Sequence, residues 1–320
     1  MSSLLKLCAR PSLTEIKACW EITRLGKGLS VVPIPWFPYA FSAIMAYHAI
    51  PALSLYTLVH RAALFLILSA GVKALIMTID DVLDHDIDAR VTRTKGRAIP
   101  RGAITLSRAW LFFAMQVVGG VYLATKLLDT TTLKISMVSW PIFVLYPTCK
   151  RWMDFAPVPL GIMFNIGSLM GWTDVAPHTP IPWLMLSILY GALTFWTITY
   201  ETVYQHQDKL DDAAIGSRSI ALFLDKHNIN TPIFAAVTST LCLSLFCGAA
   251  YLNGQLGPPL GVGVAYAALK MYRPLPNLDV NTPAQCLSYF VGAGEPVGFA
   301  LLAGLTGDAI LRRSNSGVPL

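Results

Sequence analysis

The stretch Arg61-Ala-Ala-Leu-Phe-Leu-Ile-Leu-Ser-Ala-Gly-Val-Lys73-Ala-Leu-Ile-Met-Thr-Ile79-Asp80-Asp81-Val-Leu-Asp84-His-Asp86-Ile-Asp88 sets nineteen nearly all-apolar residues against five carboxylates in the next nine positions. As a helix, an apolar run of this length crosses a hydrocarbon core of about 30 Å. Comparable runs lie near 31–50, 106–124, 132–149, 157–173, 181–200, 232–252, 256–272 and 296–311, the first and last being the weakest. They are continuous rather than alternating, which selects helices over a barrel as the way to satisfy the backbone in lipid. Of 320 residues, 54% are hydrophobic and 13% charged, where a soluble domain carries about 25% charged residues. A soluble globule is excluded. The expected fold class is all-α: a polytopic membrane protein in one domain over 1–320, with 1–19 as an N-terminal cytosolic segment. The apolar stretch within Met1–Arg10 is too short for a cleaved signal peptide.

The net charge of +6 invites a nucleic-acid reading, but its placement argues for topology. Of 24 Lys and Arg, 18 fall in alternate loops of a nine-span arrangement: five before residue 31, six between Arg90 and Arg108, and Lys150, Arg151, Lys209, Arg218, Lys226, Lys270 and Arg273. The positive-inside rule then places the N-terminus and the 80–108 and 206–230 loops on the cytosolic side. The expected surroundings are a lipid bilayer, with no nucleic acid. The six cysteines have neither metal-site nor redox spacing, and no disulfide framework is expected.

The acids are concentrated. Asp80, Asp81, Asp84, Asp86 and Asp88 form one group, and Asp208, Asp211 and Asp212 another, so eight of 18 acids occupy 14 positions. Both groups sit at the expected cytosolic ends of membrane helices, where ionisable residues are costly and mark function. Asp80, Asp84 and Asp88 are spaced i, i+4, i+8, and Asp208 and Asp212 are spaced i, i+4, which puts each set on one helical face. Stacked like charges need a cation to hold them. Hard oxygen donors of this kind suit Mg²⁺, which shares a few carboxylates with substrate phosphates. The plainer reading is a solvated acidic loop paired with Arg90, Arg93, Lys95 and Arg97. Recurrence of the pattern about 120 residues later, at an equivalent helix end, favours the metal.

With these residues in view, the chain resembles the UbiA superfamily of intramembrane prenyltransferases. Asp80 to Asp88, followed by Arg93-Thr-Lys-Gly-Arg97, resembles the first aspartate-rich motif of that superfamily. Tyr200-Glu-Thr-Val-Tyr204-Gln-His-Gln-Asp208-Lys-Leu-Asp-Asp212-Ala-Ala-Ile-Gly216 resembles the second, and Tyr146-Pro-Thr-Cys-Lys150-Arg151 resembles the YPxxKR stretch between them. The similarity runs from about residue 20 to 310. The wording of the second motif and of Asn165 to Trp172 is most like fungal members that prenylate aromatic polyketides. The resemblance implies about nine transmembrane helices around a central cavity, with a cytosolic cap of short helices in the 86–102 and 209–224 loops. It also implies Mg²⁺, an isoprenyl diphosphate donor with farnesyl expected, and a phenolic or polyketide acceptor in meroterpenoid biosynthesis. If the source is a eukaryote, the expected location is an ER or Golgi membrane, with the motif loops facing the cytosol. The chain departs from the family pattern at Asp80, where Asn is usual, and at Arg97-Ala98, where Arg-Pro is usual. It also departs at Arg24-Leu-Gly-Lys27-Gly-Leu-Ser30, in place of RxDKPxG, and at Phe155 to Pro159, where a Gln is usual.

In this reading Asp80, Asp81, Asp84, Asp88, Asp208 and Asp212 ligate the metal ions, and Asp84, Asp88, Asp208 and Asp212 are central to catalysis. Tyr146, Lys150, Arg93, Arg97, Lys209 and Lys73 are candidates for the diphosphate, arginine in fork geometry and lysine as a mobile point charge. Lys209 and Arg93 read equally as positive-inside anchors, and Lys73 as a snorkelling residue. Tyr146 and Lys150, four apart, are expected on one helical face. Arg24 and Asn165 are acceptor candidates. Trp172, Phe195, Trp196 and Tyr200 either shield a carbocation or simply pack. Two other readings share the composition: a cyclase of the same superfamily, which quenches the cation within the prenyl chain, and a transporter, whose charged sites belong nearer the midplane.

Overall fold

The computed structural model describes residues 10–26 and 34–318. Of the Arg24–Ser30 pattern, residues 27–30 lie outside the described residues, as do 31–33 of the first expected span. In chain order the helices are α1 (Leu13–Ile22), α2 (Trp36–Ala49), α3 (Leu55–Leu83), α4 (His85–Asp88), α5 (Leu106–Leu127), α6 (Thr130–Leu145), α7 (Pro157–Asn165), α8 (Gly167–Val175) and α9 (Trp183–Gln205). There follow α10 (Lys209–Ile215), α11 (Ile220–Lys226), α12 (Thr231–Leu252), α13 (Pro258–Tyr272), α14 (Pro283–Ala293) and α15 (Glu295–Asn315). No strand occurs among the described residues.

Among the described residues, five stretches are long and apolar enough to cross a membrane: Leu55–Leu83, Leu106–Leu127, Trp183–Ile215, Thr231–Leu252 and Pro283–Asn315. The other expected spans hold shorter helices, of 14 residues in α2, 16 in α6, 15 in α13 and nine each in α7 and α8. Helix length alone therefore supports five crossings rather than nine. The span expected at 296–311 starts earlier, because α14 leads into α15 through Gly294. Gln285, Ser288, Gly294 and Glu295 dilute hydropathy there and hide α14 from a hydropathy reading.

Helix α2 is the axis of the bundle. Its sequence is apolar all round, and every residue from Phe37 to His48 is buried, as expected of a helix packed on all sides. Small residues let its neighbours close on it. A Cβ at Gly171 of α8 would stand 2.2 Å from the Tyr39 carbonyl and 2.2 Å from Ser42 Oγ. The Trp172 N–H donates to Ser42 Oγ at 3.1 Å, and Gly167, four residues before Gly171, also lies against Tyr39. This is a small-xxx-small contact, which suits lipid because packing, not water exclusion, drives helix association there.

The end of the bundle remote from the aspartates is tied by polar contacts. Arg313 of α15 donates to the carbonyls of Tyr47 (2.9 Å), Ile50 (2.9 Å) and Leu53 (2.8 Å), and lies 3.5 Å over the Tyr47 ring. It thereby serves the orphan carbonyls at the C-terminus of α2. Asp308 accepts the Gly257 and Leu260 N–H groups at the start of α13. Asp174, at the end of α8, forms an ion pair with Arg61 of α3 and accepts the Tyr39 hydroxyl at 2.7 Å. Arg61 also donates to the Leu127 carbonyl at 3.0 Å, which brings in α5.

At the other end, α3 outruns the bilayer. Its 29 residues span about 43 Å at about 1.5 Å each, so an apolar slab of about 30 Å leaves its aspartate-bearing turns at the boundary. The cap expected over 86–102 is helical only in the single turn of α4. Beyond it, Gly96, Pro100 and Gly102 (φ +77) hold the chain in turns. The expected cap over 209–224 is present as α10 and α11. The five described cysteines are free.

Two stability outcomes follow. Gly171→Val forces α2 and α8 apart and is expected to cost more than about 3 kcal/mol, read as loss of the monodisperse peak on detergent size-exclusion. Asp174→Ala leaves the half-buried Arg61 without its counter-charge and the Tyr39 hydroxyl without its acceptor, and is expected to cost about 2–3 kcal/mol. Thermal melts should show Arg61→Ala/Asp174→Ala less destabilised than the sum of the two single changes.

Candidate active site

Helix α3 ends where Asp84 leaves helical geometry, and the single turn of α4 brings Asp88 back under it, with the Asp88 N–H bonded to the Asp84 carbonyl at 2.7 Å. Asp81, Asp84 and Asp88 are all buried. Aspartate is almost never fully buried unless paired, and cations are present. Arg97 reaches Asp88 (2.5 Å) and Asp81 (3.2 Å), while Arg24 holds Asp81 and lies 3.3 Å from Asp80. Arg24 does so from φ +55, a conformation uncommon for a residue with a Cβ, and its two carboxylate contacts offset that cost. Arg24, expected on the acceptor side, is thus tied to the first aspartate group.

The second group is set at the end of α9, where a 3₁₀ turn over His206–Asp208 leads into α10. His206 Nε2 bonds Thr231 Oγ1 at 3.0 Å and pins this turn to α12. Arg93 forks onto Asp208 with Nε at 2.8 Å and Nη2 at 2.5 Å, and the Thr92 N–H donates to Asp211 at 3.0 Å. The loop after the first group therefore closes over the second. Lys209 turns away from the carboxylates to Asp225 (2.7 Å) and Asn281 (2.9 Å), linking α10 to α11 and to the 279–282 turn.

Between the groups lies Tyr146–Arg151, a 3₁₀ segment with Pro147 in its first turn. Residues i and i+3 eclipse in such a helix, so Tyr146 and Lys150 do not share a face as an α-helix would require. Both nonetheless lie close to Asp80 and Asp84. Lys150 feels Asp212, Asp80, Asp84 and Asp208 together, and is the charge that joins the two groups. Its carbonyl accepts the Arg218 N–H at 2.8 Å, which fastens the second loop to this segment. Burial opposes its positive charge, but the four aspartates outweigh that and hold its ammonium above the usual lysine range. Arg151, which the sequence reading did not single out, bonds Asp86 (2.7 Å) and the Leu83 carbonyl (2.8 Å) and stands 3.7 Å from Asp84.

Two oxygens decide what the site can hold. Asp84 Oδ1 and Asp212 Oδ1 are buried and accept no hydrogen bond, a costly state for a carboxylate. Burial, with Asp80 beside it, pushes the Asp84 carboxyl up to about 8, while the hydrogen bond from Arg151 pulls Asp86 down to about 2. No three carboxylates of the described residues converge as a ready cation cage. Hard oxygen donors with one free buried atom from each motif fit Mg²⁺, which takes one or two carboxylates and completes its shell with water and phosphate.

Lys73 lies seven residues before Asp80, and the acid that acts on it is Glu295 of α15. Asn165 is used up in packing: its Nδ2 donates to the Gly161 and Leu193 carbonyls (2.8 and 3.1 Å) and to Thr197 Oγ1 (2.9 Å), joining α7 to α9. Trp196 and Tyr200 are fully buried core residues, and the Trp196 indole donates to the Ala293 carbonyl at 2.7 Å. The residue that escaped the sequence reading is Glu201. It lies deep on α9 and feels Lys150 and Asp80. Its signal was there to read: an acid following an apolar run, seven residues before Asp208 and so on the same face.

Comparison with known proteins agrees with this geometry. A sequence model of the UbiA prenyltransferase family matches residues 36–302. A 4-hydroxybenzoate polyprenyltransferase, mitochondrial, of Aedes aegypti is 31% identical over 71% of this chain and 50% of its own length, so the chain spans half of that relative. The 4-hydroxybenzoate geranyltransferase 2 of Lithospermum erythrorhizon is 29% identical over 87% of this chain and 86% of its own. A UbiA homolog from Archaeoglobus fulgidus, solved bound to GPP and Mg²⁺, shares the fold with a TM-score of 0.59 at 14% identity, covering 89% of this chain and 99% of that one. The matched residues take in both aspartate groups and the segment between them, and the chain belongs to the UbiA prenyltransferase family.

Proposed function

We propose that this single domain, 1–320, transfers a prenyl group from its diphosphate to a ring carbon of a phenolic acceptor. The observation that carries the reading is the pair of buried carboxylate oxygens on Asp84 and Asp212 that accept no hydrogen bond, both residues acting on Lys150. Asp80, Asp81, Asp84 and Asp88 on one side, and Asp208 and Asp212 on the other, would hold Mg²⁺. When bound there, Mg²⁺ supplies Lewis-acid stabilisation of the charge that develops on the leaving diphosphate. The protein's own cations do the rest. Arg93, forked onto Asp208, and Arg97, held to Asp81 and Asp88 through Nη1, exchange these carboxylates for diphosphate oxygens, which suit the guanidinium fork. Lys150 adds a point charge between the two groups. Leaving-group charge is thereby met from several sides by groups already in place, which lowers the barrier to C–O cleavage. The apolar helices beneath exclude water until the ring carbon attacks.

The names of the relatives, a polyprenyltransferase and a geranyltransferase of 4-hydroxybenzoate, support a phenolic acid as acceptor and a prenyl diphosphate as donor. A farnesyl donor and a meroterpenoid setting rest on the wording of the second motif and of Asn165 to Trp172. The reading includes multi-pass insertion with the motif loops on the cytosolic side. An ER or Golgi membrane was the expectation, whereas the Aedes relative is named mitochondrial.

Membranes expressing the protein, given Mg²⁺ and C10, C15 or C20 diphosphate with and without phenolic acids, should form a prenylated ring only when both substrates are present. A hydrocarbon from the donor alone would assign a cyclase instead. Asp84→Ala and Asp208→Ala should each lower turnover by about a hundredfold or more, and Mg²⁺-dependent turnover retained in both would overturn the reading. Arg93→Gln removes a charge-assisted contact of about 1.5 kcal/mol, and should raise the donor KM by about tenfold with the protein still folded.

A further inference from the structure

Beneath the aspartate mouth lie polar groups that nothing in the fold satisfies. Tyr146, Lys150 and Glu201 are enclosed by protein, yet each keeps some accessible surface. No hydrogen bond or ion pair is made by the Glu201 carboxylate, the Lys150 ammonium or the Tyr146 hydroxyl, whereas the neighbouring Asp81, Asp88 and Asp208 are all paired. An acid placed deep in an apolar span without a partner is expensive to keep. Its position explains the expense.

Glu201 and Asp208 are seven residues apart along α9 and its 3₁₀ extension, about two turns or 10 Å along a helix and on one face. Diphosphate oxygens belong at the level of Asp208, so the donor's reactive carbon and the ring that attacks it lie one layer deeper, in the direction of Glu201. The charges that act on Glu201 are Lys150 and Asp80, both members of the diphosphate site. The Tyr200 hydroxyl is directed to Thr197 Oγ1 at 3.2 Å, and Asn165 is used up in packing. Of the acids at this depth, Glu201 is the one acted on by members of the diphosphate site, Lys150 and Asp80, whereas Glu295 acts on Lys73.

We propose that Glu201 is the base that removes the ring proton of the acceptor, an assignment that rests on the aromatic-transfer reading above. The C1–O bond of the donor breaks with its electron pair going to the diphosphate. A ring π pair forms the new C–C bond to C1, leaving an arenium ion. The proton on that ring carbon passes to a Glu201 carboxylate oxygen, and the C–H pair restores the aromatic ring. Glu201 returns the proton to the diphosphate as it departs. Donor ionisation needs none of this, so Glu201 separates the two halves of the reaction.

The test uses the full chain in membranes with Mg²⁺, geranyl diphosphate and 4-hydroxybenzoate as probes. Glu201→Gln is expected to lower ring prenylation by about 10²- to 10³-fold, while Mg²⁺-dependent release of diphosphate stays within about threefold and geraniol replaces the ring product. Glu201→Asp, which keeps the carboxylate further back, should retain part of the turnover and show an isotope effect with ring-deuterated acceptor that the wild-type protein lacks. Size-exclusion in detergent establishes that both variants are folded. Prenylation by Glu201→Gln within threefold of wild type would overturn the assignment. So would loss of diphosphate release as complete as in Asp208→Ala, which would place Glu201 in donor binding. Absence of a ring product from the wild-type protein, with diphosphate release intact, would instead overturn the aromatic-transfer reading itself.

Discussion

Carboxylates crowded at the edge of a low-dielectric slab repel one another strongly, and the architecture of this protein is arranged around that repulsion. Asp80, Asp81, Asp84 and Asp88 arrive on α3 and α4, and Asp208 and Asp212 on the end of α9 and α10. In water such a set would be held apart and hydrated. Here three of the four in the first group are buried, and so is Asp212. They persist because Arg24, Arg93 and Arg97, and Lys150 come in from three other segments to meet them. Each cation also ties its own segment to the mouth, so the charges that balance the acids also assemble the site.

The balance is incomplete, and this points to function. Arginines satisfy Asp81, Asp88 and Asp208, but one oxygen each of Asp84 and Asp212 accepts no hydrogen bond, with Arg151 no nearer than 3.7 Å to that of Asp84. A protein built only for stability would close those gaps, since an unbonded buried carboxylate oxygen costs more than a neutral apolar replacement. The remote end of the bundle shows what closure looks like. Arg313 spends its donors on carbonyls of and after α2, and Asp174 is met by both Arg61 and the Tyr39 hydroxyl. One end is locked and the other keeps free valences, as a site open to a charged ligand at one mouth requires.

Much of this was legible in the chain. The apolar runs locate α3, α5, α9 and α12 to within a few residues, because a span in lipid must be long, helical and apolar whatever it packs against. The two aspartate groups and the YPTCKR segment emerge as the elements of the site for a similar reason: charge next to an apolar run is costly and therefore conspicuous. The break at Gly294 was hidden by diluted hydropathy. The 3₁₀ geometry of Tyr146–Arg151 was hidden because spacing arguments assume 3.6 residues per turn. Glu201 was passed over because a single acid at the end of a hydrophobic run carries little weight until the surrounding space is seen.

Which charge meets which could not be read from the chain at all. Arg24 and Asn165 looked alike as acceptor candidates, yet one holds Asp80 and Asp81 and the other is consumed by backbone carbonyls and Thr197. Lys209 and Arg93 looked alike as loop cations, yet Arg93 closes over Asp208 while Lys209 turns to Asp225 and Asn281. By itself the sequence determined the all-helical apolar character, the two clusters of carboxylates and the family, because hydropathy and charge act residue by residue and survive in any arrangement of the chain. The tertiary structure alone decided which carboxylate oxygens accept no hydrogen bond and which acid is left without a partner, because pairing depends on how segments separate in the chain meet at a few ångströms.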